Sequence, residues 1–158
     1  MLILSIDPSL HASGWCLLED ERPLHWGVCR IGASVRGDEA LRALAGQARR
    51  IDDMIERVGR CDLLAYETQY PGRHAGGDSI ALVGRAAGIW IGAIETERVM
   101  GVSPSVWGKS FGLPQQRADR KAASMRTARV ICPGNWEEDS AEAFLIGLWA
   151  YRECRGKK

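Results

Sequence analysis

Four acidic side chains stand where carboxylates are costly to keep. Asp7 closes the apolar run Leu2-Ile3-Leu4-Ser5-Ile6, and Glu67 closes a second, Leu63-Leu64-Ala65-Tyr66. Asp139 and Glu142 open an apolar C-terminal segment at i, i+3 spacing, which puts both on one face of a helix. A carboxylate at the end of a buried strand costs free energy unless something pairs with it. Four that converge repel one another unless divalent cations sit between them. The pattern points to a Mg²⁺ site, and such sites commonly handle phosphates.

Each acid also has an ordinary reading. Asp7-Pro8-Ser9 is a good turn. Glu67 can be answered by an arginine. In Glu137-Glu138-Asp139-Ser140-Ala141-Glu142, Asn135 is a suitable N-cap with Glu138 at capping-box spacing, and acids favour a helix N-terminus. Capping accounts for Glu137 and Glu138. It does not account for Glu142, flanked by Ala141, Ala143, Phe144 and Leu145. Jointly, the four make a metal site the better reading. His11, His25 and His74 show no triad logic, so no nucleophile competes with it.

The elements that must position these residues follow from periodicity. Residues 2–6 read as a buried strand, 13–18 as a second and 24–31 as a third, with short connections that imply an antiparallel meander. Leu41, Leu44, Ala45, Ala48, Ile51, Ile55 and Val58 form a helical stripe, opened by Asp38 and closed by Gly59. A strand over 62–67 follows, then a loop rich in turn formers at 70–77 and an apolar helix over 78–97. That helix holds only about 15 consecutive apolar positions broken by Arg85, short of the roughly 20 a bilayer span needs. A short strand over 99–103 and an irregular stretch over 104–119 lead to helices over 120–131 and 136–152. The order β-β-β-α-β-α-β-α-α gives a mixed α/β sheet with helices on it.

With 158 residues and a net charge of +1, the chain has room for one ordinary core and no overall basic field. Its five cysteines are odd in number, widely spaced and without a CxxC pair. That disfavours zinc and suits reduced thiols in a cytoplasm. The start, Met1 to Asp7, lacks the basic n-region of a signal peptide.

The chain resembles the RuvC family of Holliday junction resolvases, in the ribonuclease H-like superfamily, and more particularly a phage-type member. The resemblance rests on Ile3-Leu4-Ser5-Ile6-Asp7-Pro8-Ser9 with Ser13-Gly14-Trp15, on Ala65-Tyr66-Glu67-Thr68-Gln69-Tyr70, and on Asp139-Ser140-Ala141-Glu142-Ala143-Phe144-Leu145-Ile146. It implies a ribonuclease H-like fold with a five-stranded mixed sheet over residues 1–154 as a single nuclease domain, and a frayed basic tail at 155–158. Carried over, Asp7, Glu67, Asp139 and Glu142 are the catalytic set and bind two Mg²⁺, with Mn²⁺ as a substitute. Two such ions hydrolyse a phosphodiester by activating water and neutralising the leaving oxygen. The chain departs from the family at Ser9, where Gly is usual, and at Glu142, where Asp is frequent.

The resemblance also implies contacts to branched DNA, a four-way junction in particular. Residues 105–132 carry Lys109, Arg117, Arg120, Lys121, Arg126 and Arg129 against Asp119 alone, an excess that suits phosphate contacts as well as a solvated helix face. Lys109 and Lys121 match the family's backbone contacts best, with Arg117, Arg120 and the loop residue Arg73 as further candidates. Tyr70 stands where the family places a base-stacking aromatic; packing on Pro71 is the plain alternative. Gly84, Gly88 and Gly92 clear one helix face, either for the chain's own sheet or for the homodimer the family uses. The expected function is junction resolution in a cytoplasm, with no membrane association. A broader branched-DNA nuclease and a non-cleaving junction binder are the alternatives.

Overall fold

The computed structural model describes residues 1–68 and 77–156. Its elements are β1 (Leu2–Asp7), β2 (Ala12–Glu19), β3 (Arg22–Arg30), α1 (Gly37–Val58), β4 (Leu63–Glu67), α2 (Gly77–Ala93), β5 (Val99–Val102), α3 (Pro104–Ser110), α4 (Arg117–Ile131) and α5 (Glu138–Gly156). The five strands form one sheet in the order β3-β2-β1-β4-β5. β1, β2 and β3 pair antiparallel, whereas β4 runs parallel to both β1 and β5. This is the expected mixed sheet, with β1 at its centre.

Strand alternation divides the core into two layers. Ile3 of β1 and Leu63 and Ala65 of β4 face α5, with Cys16 and Leu18 of β2 beside them. Leu4, Ile6, Leu17 and Leu64 face the opposite way, against Leu44, Ala48, Ile51 and Ile55 of α1 and Ala86, Trp90 and Ile94 of α2 or just beyond it. α5 lies across the first layer, with Phe144, Leu145, Ile146 and Leu148 fully buried. Among the described residues, no helix is long and apolar enough to cross a membrane.

Four local expectations fail, three of them for identifiable reasons. Residues 104–110 are helical rather than irregular: Pro104 occupies the first helical turn, where its missing N–H costs nothing. Gly112, at φ 65°, then closes α3 in a Schellman turn, with Gly112 N–H on Lys109 O and Leu113 N–H on Gly108 O. α2 stops at Ala93 rather than 97, because Asp52 of α1 takes the Glu95 N–H at 3.0 Å. α5 is capped by Glu137 and Ser140, not by Asn135 and Glu138. Ser140 Oγ accepts the Glu137 N–H at 3.2 Å, and the Glu137 carbonyl accepts the Ala141 N–H. At its other end α5 runs on to Gly156, past the expected 152.

Candidate metal centre

Period-2 alternation carries Asp7 and Glu67 onto the α5 face, two residues beyond Ser5 and Ala65. The parallel register Ile6↔Tyr66 sets the two strand ends side by side. The turn after Asp7 is braced from both sides of the sheet edge. Ser13 Oγ accepts the Ser9 N–H at 3.0 Å and the Trp90 indole N–H at 3.2 Å, and donates to the Ser9 carbonyl. α5 approaches the sheet closely because two glycines clear its path. A Cβ on Gly14 would overlap the backbone carbonyl of Asp139, and one on Gly147 would lie 2.6 Å from Ser5 Oγ.

The result is three carboxylates, Asp7, Asp139 and Glu142, each offering an oxygen within 4.8 Å of the others. Asp7 and Glu142 are buried and Asp139 is half-buried. Glu67, also buried, stands just outside this trio: its Oε2 accepts the Trp107 indole N–H at 2.8 Å. Two cations answer the acids. Arg120 Nε donates to Glu142 Oε1 at 3.0 Å, and Lys121 Nζ donates to Asp139 Oδ1 and reaches Glu138 at 4.0 Å. The Arg120 guanidinium also lies 5.7 Å from the Trp107 ring centroid.

The electrostatics follow the crowding. Burial, reinforced by the charges of Glu67, Glu142 and Asp139, pushes Asp7 well above the ordinary carboxylate range, with Lys121 opposing. Burial also raises Glu67, against the Trp107 hydrogen bond and the positive fields of Arg120 and Arg117. Burial alone would lower Lys121, but its bond to Asp139 and the nearby Asp7 and Glu142 carry it above its usual value. Carboxylates held at elevated pKa in a cluster are what a cation would relieve.

The basic residues separate. Lys109 and Arg117 are exposed, and Arg117 is close enough to act on Glu67. Arg120, expected among the DNA contacts, is 9% exposed and turned inward onto Glu142. Lys121 is likewise engaged with the acids, with a side chain 18% exposed. Tyr70 and Arg73 fall outside the described residues. Gly84, Gly88 and Gly92 are exposed, and among the described residues a Cβ on any of them would meet nothing within 4 Å, so α2 does not use them to pack on its own sheet. Trp90, on another face, is in the core. Sequence reasoning missed Trp107. Its signal was there in Pro104 as a helix start, which puts an indole three residues into a helix beside the acids.

The donor set fits a hard divalent cation: the clustered ligand atoms are all carboxylate oxygens, the type Mg²⁺ and Mn²⁺ prefer. The sheet order, the strand-end acids and the crossing α5 together define a ribonuclease H-like fold. Among solved structures the chain is similar to RuvC of Thermus thermophilus in complex with a Holliday junction substrate, at 17% identity and TM-score 0.74 over 99% of this chain and 96% of that one. A second Thermus thermophilus RuvC structure matches at 18% identity and TM-score 0.74, over 99% and 97% of the two chains. The yeast mitochondrial Holliday junction resolvase matches at 11% identity and TM-score 0.53, over 96% and 80%. No family model and no curated protein matches the chain. The likeness is one of fold, and it agrees with the resemblance read from the three acidic motifs.

Proposed function

We propose that this chain is a divalent-metal-dependent endonuclease that resolves four-way DNA junctions. The observation that carries the reading is the buried trio of Asp7, Asp139 and Glu142 within 4.8 Å, built on a RuvC-like fold. Asp7, Asp139 and Glu142 would hold Mg²⁺, or Mn²⁺ in its place, with Glu67 as the fourth acid of a two-ion set. Mg²⁺ held there would supply an activated water and neutralise the leaving 3′-oxygen, which would give 5′-phosphate and 3′-hydroxyl ends. Lys121 neutralises Asp139 in the metal-free chain and is then available to a DNA phosphate. Lys109 and Arg117 are exposed and suit backbone contacts, Arg117 being close enough to act on Glu67, with Tyr70 and Arg73 as further contacts. The five cysteines are free thiols, which suits a reducing cytoplasm.

A junction has two equivalent strands to cut, so a two-fold dimer would place one centre on each. The open glycine face of α2 supports this. Each helix glycine costs about 1 kcal/mol relative to alanine, and among the described residues nothing fills the space gained.

The test is cleavage of a labelled four-way junction beside a flap, a fork and linear duplex, with and without Mg²⁺, for wild type and Glu67→Gln. Paired, metal-dependent nicks in the junction, lost in Glu67→Gln while binding persists, are expected. Equal cutting of flaps and forks would replace the reading with a general branched-DNA nuclease. Tight junction binding with no cutting under any divalent metal would leave a binding protein.

A further inference from the structure

Two helices that contribute no acid to the metal centre are nevertheless wired into it. Trp107 of α3 is fully buried and spends its N–H on Glu67, the end of β4. Arg120 of α4 packs over that indole and spends its Nε on Glu142 of α5. The chain Glu67–Trp107–Arg120–Glu142 thus spans the two glutamates from outside the trio. We propose that Trp107 and Arg120 form a clamp that fixes Glu67 and Glu142 in place for a divalent cation, making both of them positioning residues. The inference rests on the metal reading above.

Simple stabilisation is a poor account of these contacts. A buried ion pair returns little net stability after desolvation, and apolar replacements are often as good. An indole N–H needs only one acceptor, and a backbone carbonyl serves: Trp26 donates to Asn135 O and Trp136 to Cys132 O. Trp107 donates to a carboxylate instead. Glutamate, with one more rotatable bond than aspartate, gains most from an external hold. Partners that orient ligands in this way commonly govern metal affinity.

Lys121, the next residue, provides the contrast. It sits on Asp139 with a flexible stem and a partly open path to solvent, which suits a counter-ion that leaves. Arg120 is the more enclosed, its side chain 11% exposed and lying over the Trp107 ring. The two neighbouring cations therefore have opposite roles, and the sign of one measurement separates them. Deleting any positive charge near a cation site should, by Coulomb's law alone, strengthen cation binding.

The experiment is a calorimetric titration with Mn²⁺ alone on wild type, Arg120→Met, Trp107→Phe and Lys121→Met, each checked for folding by circular dichroism. Arg120→Met is expected to weaken Mn²⁺ binding by roughly ten- to a hundredfold despite losing a positive charge. Trp107→Phe, which keeps an aromatic ring and the net charge but loses the N–H, should weaken it in the same direction. Lys121→Met should strengthen it. Equal or tighter binding by Arg120→Met, with wild type binding normally, overturns the clamp and leaves the metal reading standing. Should Arg120→Met fail to fold, Trp107→Phe decides, and unchanged affinity there overturns the clamp. Wild type that binds no Mn²⁺ overturns both.

Discussion

Replacing Asp7 with Asn should make the metal-free protein more stable, although it removes a central residue of the proposed site. The side chain keeps its size and loses its charge. At 4.8 Å, an unscreened pair of carboxylates repels by about 3.5 kcal/mol at an effective dielectric constant of 20. Asp139 and Glu142 each face a cation already, so much of that repulsion is offset. The burial of Asp7, the leading cause of its raised pKa, is opposed only in part, by Lys121. A ceiling exists, because the carboxyl can escape by taking up a proton. At about pH 7.5 that escape costs near 1.36 kcal/mol for each unit above the ordinary value of ~3.9, or about 5 kcal/mol in all. Below that ceiling, and with much of the repulsion already offset, Asp7→Asn should gain about 2–4 kcal/mol in EDTA. For a chain of this size the gain is roughly 5–10 °C in Tm. Differential scanning calorimetry in EDTA and then in saturating Mg²⁺ reads it directly. Wild type should recover on adding Mg²⁺, by about 2.7 kcal/mol at a hundred times Kd, while Asp7→Asn should not respond. A variant less stable than wild type in EDTA, or one that Mg²⁺ stabilises equally, would refute the reasoning.

Other outcomes follow from the same structure. In EDTA, stability should fall as pH rises above the ordinary carboxylate values of 3.8 for Asp7 and 4.5 for Glu67. Their folded pKa values are raised, so the native state binds the extra protons and each group contributes a slope of up to about 1.4 kcal/mol per pH unit until its folded pKa is passed. Denaturant titrations from pH 5 to 8 (about the range where most domains are steady) test the sign. Gly14→Ala should cost more than about 3 kcal/mol, because its methyl would meet the backbone of Asp139 and not a side chain that can swing away; urea unfolding measures it. Gly88→Ala separates two uses of α2. In an isolated protomer it should stabilise by up to about 1 kcal/mol, whereas at a close interface between two copies it should weaken the dimer in sedimentation.

The sheet and the acids were legible because both are written in short-range pattern. Two apolar runs ending in Asp7 and Glu67 declare buried strands with charged tips, and the stripe from Leu41 to Val58 declares α1. The inward turn of Arg120 was not legible in the same way. Composition shows a cluster of positive charge over 105–132 but not which members of α4 turn inward. Arg120, Ala123, Ser124 and Ala128 form the buried side of that helix, and only the packing of α4 on α5 reveals it. Trp107 was hidden by the punctuation around it. Pro104, Gly108, Gly112 and Pro114 read as loop, yet Pro104 begins a helical turn and Gly112 ends one. Hydrogen bonds such as Trp107 to Glu67 span 40 positions of sequence and leave no local trace.

The placement of α5 carries a consequence for when the molecule becomes dangerous. β1 is made first and α5 last among the described elements, yet they meet at the centre of the structure, with Gly147 against Ser5 and Asp139 against Gly14. A growing chain holds Asp7 and Glu67 long before it holds the helix that brings the other two acids and much of one core layer. On the proposed function, a partly synthesised or prematurely terminated product is therefore a harmless one. On that reading the capacity to break DNA would arrive in a single event, when α5 docks, and a fragment lacking α5 should carry no residual cutting to trouble the cell that made it.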